Sequence, residues 1–167
     1  MTRIMRDSTT PTDIPIHGTD LVAGYVNGSF KWPAEGYARF SGIPHIRIDV
    51  SGTHPEDADV LDVEPGDTTV STAVIWVRKR KAAFPGGYPP IIYCNRSTLT
   101  PLFNAMNAAG LQIVRDFRTW IATLDGTKTV HDMTGVTAVQ YAGEDLTGGH
   151  YDESVVYDDL WYRVPHG

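Results

Sequence analysis

From residue 20 onward the chain alternates short apolar or β-branched runs, turn signals and segments with helical spacing. Residues 21–26 (LVAGYV) read as a strand that stops at Asn27-Gly28, a turn dipeptide. A short helix is predicted over 32–40, with Pro33 in its first turn and Gly42 just beyond it. Residues 45–50 (HIRIDV) and 59–63 (DVLDV) alternate polar and apolar as strands do, and the second runs into Glu64-Pro65-Gly66-Asp67. The clearest helix follows. Asp67 or Thr68 can cap it, and Val70, Val74 and Val77 form a stripe that Ala73 and Trp76 widen. Arg78 to Lys81 complement the dipole at its end, and Pro85-Gly86-Gly87 stops it. A strand over 90–94, a helix over 98–109 and strands over 117–124, 136–141 and 154–157 complete the series. Residues 1–19 are polar, interrupted by Pro11 and Pro15, and without a period; they read as a loosely ordered arm ahead of one domain over 20–167.

Strands alternating with helices predict an α/β protein with a parallel sheet and right-handed crossovers. There are too many strands for the helices, and 167 residues fall short of the ~200 that a full eightfold barrel usually needs. A reduced (β/α) TIM-type barrel with few helices fits best, and an open doubly wound sheet is the competitor. No glycine-rich phosphate loop follows any strand, so a nucleotide-binding sheet has no support. The net charge of −6 argues against nucleic acid as a partner. A single cysteine excludes a disulfide framework, and six histidines without ligand spacing give no reason to expect a metal or other cofactor. No apolar run approaches the ~20 residues of a membrane span, and the first residues lack the apolar stretch of a secretory signal.

The candidate chemistry centres on Leu61-Asp62-Val63-Glu64. Residues two apart on a strand face the same side, so Asp62 and Glu64 are about 6–7 Å apart at Cα on one face. In parallel α/β folds the C-terminal strand ends form the active face. Two carboxylates there repel as anions, and one protonated beside one ionised is the equipment for glycosidic cleavage. On spacing alone, acids that cap the next helix or hold a cation remain open. Tyr25, Asn27, Asp49, Tyr93, Asn95, Trp120, Gln140, Tyr141 and Asp152 lie where other strands should end. Aromatic faces and amides there suit sugar rings and their hydroxyl or acetamido groups.

The ordered blocks VLDVEPGD, PPIIYCNRS, TWIATL, TAVQYA and HYDESVVYDD resemble the glycoside hydrolase family 25 lysozymes, and more closely the short actinobacterial or phage domains of that type. The resemblance spans roughly residues 20–161. It implies a modified barrel that cleaves the β-1,4 bond after N-acetylmuramic acid in peptidoglycan, as a monomer with no cofactor. Carried over by position, Glu64 is the general acid, Asp62 orients or polarises the 2-acetamido group, and Asp152 is the acid ahead of the last strand. Tyr93, Trp120, Gln140 and Tyr141 then line the sugar cleft. Such lysozymes begin with a strand ending in aspartate. The first strand read here, GYVNG, offers Asn27 at that place, with Asp49 as a substitute acid. That difference makes an inactive wall-binding module the alternative reading. The expected place of action is the bacterial wall, reached from the cytoplasm on phage lysis or as part of a larger virion protein.

Overall fold

Along each strand buried residues alternate between two destinations, and that alternation builds the molecule. In the computed structural model, which describes residues 3–128 and 133–161, eight strands close into a barrel in sequence order. They are β1 (Arg3–Asp7), β2 (Leu21–Tyr25), β3 (His45–Asp49), β4 (Val60–Asp62), β5 (Ile91–Asn95), β6 (Arg118–Ala122), β7 (Val136–Ala142) and β8 (Asp152–Val156). Strands β1 to β7 run parallel, and β8 closes the ring antiparallel to both β7 and β1. Five α-helices occur among the described residues: α1 (Ala34–Ala38), α2 (Val70–Ala83), α3 (Arg96–Ala108), α4 (Glu144–Thr147) and α5 (Asp158–Trp161). Only α2 and α3 exceed two turns, so the reduced barrel is the architecture observed.

One set of side chains fills the barrel: Met5, Leu21, Ala23, Ile46, Ile48, Val60, Ile91, Trp120, Ala138 and Val156, with Leu160 of α5. The alternate set points outward. Leu61, Ile92, Cys94, Ile121 and Val139 meet Trp76 and Val77 of α2 and Leu102 and Met106 of α3. Each fully buried aliphatic side chain contributes roughly 1.5–3 kcal/mol relative to exposure. On the opposite flank Ile14, Val22, Trp32 and Phe40 form a smaller cluster. Gly24 is required there, since a Cβ would lie 2.5 Å from the Trp32 ring.

The segment read as a loose arm is part of the barrel. Its residues Arg3–Asp7 form β1, parallel to β2 through Met5↔Leu21 and antiparallel to β8 through Arg3↔Val156 to Asp7↔Asp152. The strand is polar because its outward residue Arg6 is held across the closure: its guanidinium lies 2.7 Å from Glu153, with both side chains largely buried. It also donates to Thr19 at 2.7 Å. Such a strand is specified by partners distant in sequence, and its own pattern carries little of the signal.

Two further boundaries move. The cap of α2 is Thr69, whose hydroxyl accepts from the Thr72 N–H at 3.2 Å, and not Asp67 or Thr68. Thr68 is occupied by a short hydrogen bond to the Asp62 carbonyl. Helix α3 begins at Arg96, because Asn95 Oδ1 accepts from the Thr98 N–H at 3.1 Å.

Candidate active site

A parallel barrel brings the C-terminal ends of β1 to β7 to one rim, and antiparallel β8 contributes its N-terminal end to the same rim. The strand-end acids therefore converge. A cleft floor of about 80 Å³ is lined by Asp7 of β1, Asp62 and Glu64 at the end of β4, and Asp152 of β8, with Tyr25, Ile48, Tyr93 and Trp120 around them. Asp7 and Asp152 are direct partners across the β1–β8 pair. Residues so paired share one face and sit about 4.5–5.5 Å apart at Cα.

Crowding carboxylates in a poorly solvated place favours their protonated forms. Burial pushes Asp62 up to about 8, reinforced by the charges of Glu64 and Asp67. Burial likewise raises Asp7 well above the carboxylate range, with Asp152, Asp62 and Glu64 adding to it. Asp152 is raised to about 6 by burial and the Glu144 charge, against the lowering effect of a hydrogen bond from Gln140. Glu64 is raised by burial, Asp67 and Asp152, and a side-chain hydrogen bond with Tyr93 pulls it back. Glu64 is only half-buried, whereas Asp62 is 6% exposed and Asp7 5%.

The aromatic floor is fixed. Trp120 Nε1 donates to Ser154 Oγ at 2.9 Å, and its ring meets Tyr93 edge-on at 4.9 Å. Gln140 Nε2 donates to Asp152 Oδ2 at 2.7 Å. This leaves Gln140 Oε1, with one oxygen each of Asp7 and Asp62, buried and without a hydrogen-bond partner among the described residues. Buried polar atoms in that condition are rare, and a ligand bearing hydroxyl or amide N–H groups would satisfy them.

Of the residues singled out in the sequence, Asp62, Glu64, Asp152, Tyr25, Tyr93 and Trp120 meet at this cleft, with Gln140 bonded to Asp152 behind it. Four others do not. Asp49 points away from the cleft because Ile48 occupies the inward position, and it is wholly buried against α2. Asn27 is spent on Asp49, donating to Oδ1 at 2.7 Å, and accepts from the Val50 N–H at 3.0 Å. Asn95 caps α3. Tyr141 faces outward, packing with Ala142, Val155 and Ile4 and donating to Glu153. The residue the sequence reading missed is Asp7. Counting strands would have found it: a closed barrel needs one more, and Ile4-Met5 is the remaining apolar pair ahead of an acid. With Asp7 ending β1, Asn27 follows the second strand of the barrel and not the first.

The cluster has a consequence for stability. A carboxyl whose proton is held above its unfolded value adds stability below about pH 4, and that stability is lost as pH rises towards 8. Asp62→Asn is thus expected to unfold at a higher temperature than the parent at pH 8, by about 2 kcal/mol of stability, and to match it near pH 4. Thermal unfolding across that range checks it; a variant less stable at pH 8 contradicts the repulsive cluster.

The fold and site together define a class: a closed, helix-poor β/α barrel with an acidic cleft at the C-terminal rim. No protein-family model matches the chain, and no curated protein is similar to it in sequence. Solved structures do share its architecture. A family 25 glycosyl hydrolase from Bacillus anthracis superposes with a TM-score of 0.60 at 12% identity, covering 98% of this chain and 94% of that one. A muramidase from Acremonium alcalophilum gives 0.57 at 15% identity, covering 96% of each chain. At such identities the likeness is one of fold. Among the described residues, no helix is long and apolar enough to cross a membrane. No group of three or more His, Cys, Asp or Glu among them is arranged to hold a metal ion.

Proposed function

We propose that this protein is a peptidoglycan-cleaving glycoside hydrolase of the muramidase type. The observation that carries the proposal is the convergence of Asp7, Asp62, Glu64 and Asp152 on one cleft, in a fold shared with a muramidase. Glu64 is the general acid. Its longer, half-exposed side chain reaches outward to the glycosidic oxygen, and its raised pKa keeps the proton available. Asp62, deeper on the floor, orients the 2-acetamido group.

As Glu64 protonates the departing oxygen and the C1–O bond breaks, the acetamido carbonyl oxygen attacks C1. The resulting cyclic cation is held by the ionised members of the cluster. Water then attacks C1, the C1–O bond to the acetamido oxygen breaks and restores the acetamido group, and the water's proton passes to Glu64, regenerating the acid with net retention. Asp152, fixed by Gln140 and facing Asp7, holds the sugar's hydroxyls and supplies negative potential. Tyr25, Tyr93 and Trp120 receive the ring faces. The partner is a bacterial wall glycan and the enzyme acts as a monomer at the wall, with delivery during phage-type lysis the route that suits the sequence blocks.

Purified protein incubated with isolated wall sacculi is expected to release fragments whose new reducing end is N-acetylmuramic acid, read by mass spectrometry after borohydride reduction. Reducing-end N-acetylglucosamine, or intact glycan strands, would refute the assignment.

A further inference from the structure

The pole opposite the acidic cleft carries a pocket of the opposite sign. At the N-terminal ends of β5 and β6, beside the last turn of α2, lies a cavity of about 380 Å³ whose charged lining residues are Arg80, Lys81 and Arg115. No carboxylate lines it. Phe84 and Tyr88 supply apolar wall, and Gly86 leaves room, since a Cβ there would meet no atom within 4 Å beyond its chain neighbours. In a chain with a net charge of −6 this pocket is a local reversal, and its low-dielectric walls concentrate the field.

The cations are held in place. Asp116, its side chain only 4% exposed, accepts from Arg115 Nε at 2.9 Å and from the Lys81 ammonium. The Gln112 N–H donates to the same carboxylate at 2.8 Å, and the Asp116 N–H donates to the Gln112 carbonyl at 2.7 Å. The loop so fixed holds Val114 at φ +74°, a region that β-branched residues avoid. Strain of that kind persists where the surroundings over-determine it, and here its effect is to set Arg115 beside the pocket. Arg80 lies 4.0 Å over the Phe84 ring and is matched by Asp59 at 2.9 Å. Lys81 and Arg115 share one carboxylate, so one positive charge is left over.

One surplus charge beside an apolar wall fits a monoanion joined through carbon linkers. A phosphodiester between polyol units has that form. Its charge meets the donors that Asp116 leaves over on Lys81 and Arg115, and its methylene groups meet Phe84 and Pro85. Arg78, on the same end of α2, donates to the Ala109 carbonyl at 2.7 Å and pairs with no carboxylate among the described residues, which sets a further cation near a following repeat. We propose that this pocket is a second binding site, taking one phosphodiester of an anionic polyol-phosphate polymer while the acidic cleft faces away. The site is separate from the cleft and does not depend on the hydrolase reading.

Calorimetric titration of the whole protein with poly(glycerol phosphate) tests it. Binding is expected, and it should weaken as salt is raised from about 50 to 200 mM, as phosphate contacts require. Gly86→Asp puts a carboxylate into the open pocket without touching Asp116, and Asp tolerates the positive φ of +80° at that position. It should weaken binding about tenfold, because like charges then face each other. Gly86→Asn, the neutral side chain of the same shape, should stay within about twofold of the parent. Absence of binding by the parent overturns the site. Equal affinity of the two variants, with both folds verified by circular dichroism, overturns it too. Polyglutamate of matched charge binding as tightly overturns the phosphodiester assignment, and a thymidine oligonucleotide binding more tightly overturns the polyol one. No hydrolysis is read in these titrations, so their failure is distinct from failure of the muramidase reading.

Discussion

Glu64→Gln is expected to lower the rate of wall hydrolysis by about a thousandfold, within the range that general acid catalysis supplies. The substitution keeps the shape of the side chain and much of its capacity to bond Tyr93, but an amide has no proton to give a departing sugar oxygen. Stability should be kept or improved, because the lost carboxyl is one that burial, Asp67 and Asp152 all disfavour as an anion. That pairing of outcomes identifies a residue retained for chemistry. A structural acid would show the reverse, with stability falling and activity following it. Turbidity loss of wall suspensions measures the rate, and calorimetric melting measures the fold. A residual rate within tenfold of the parent would remove Glu64 from the role of acid and leave Asp62 or Asp152 to be tested in turn.

Much of this site was legible in the chain because strand period and strand end together determine where a side chain goes. The two-residue spacing puts Asp62 and Glu64 on one face, and the expected strand ends point to Tyr93 and Trp120. The failures have the same root. Period two divides residues into two faces without saying which face lines the cleft, so Asp49 and Tyr141, each the neighbour of an inward residue, were placed with the site although they point outward. Gln140 and Tyr141 are adjacent on one strand and could not both line the cleft. Asn95 was claimed by the helix that follows it, a local hydrogen bond that any Asn ahead of a helix can make. Strand β1 was hidden for a different reason. Its outward residue Arg6 is held by Glu153, far along the chain, and by Thr19, and such pairing leaves no local trace. Asp7 ends that strand and carries no local signal either.

Asp49 supplies the contrasting case, and its substitution by Ala is expected to reduce stability by about 3–5 kcal/mol. It is fully buried, and every donor around it is used. Oδ1 accepts from Asn27 Nδ2 at 2.7 Å, from the N–H groups of Ser51 and Gly52 at 2.9 and 2.8 Å, and from Ser51 Oγ at 3.1 Å. Oδ2 accepts from the His54 N–H at 2.7 Å and from Trp76 Nε1 at 2.9 Å. One carboxylate thereby folds the loop after β3 and ties it to α2. The fit is close, since a Cβ on Gly52, whose φ is +72°, would lie 2.4 Å from Thr72 Cγ2. Alanine would strand the Trp76 indole N–H in the core and release the loop, and asparagine would turn an acceptor into a donor facing donors. The pH dependence should run opposite to that of Asp62. Burial alone would raise Asp49, but the hydrogen bonds from Asn27, His54, Ser51 and Trp76 outweigh it and hold its pKa below the usual value. Its contribution is therefore present above about pH 4 and lost as pH falls through the lowered folded value. The two acids therefore act in opposite directions with pH, and Asp49→Ala should make the decline on the acid side less steep. Urea unfolding from pH 3 to pH 8 measures both effects. A change below 1 kcal/mol, or loss of hydrolysis with unfolding unaffected, would return Asp49 to the cleft.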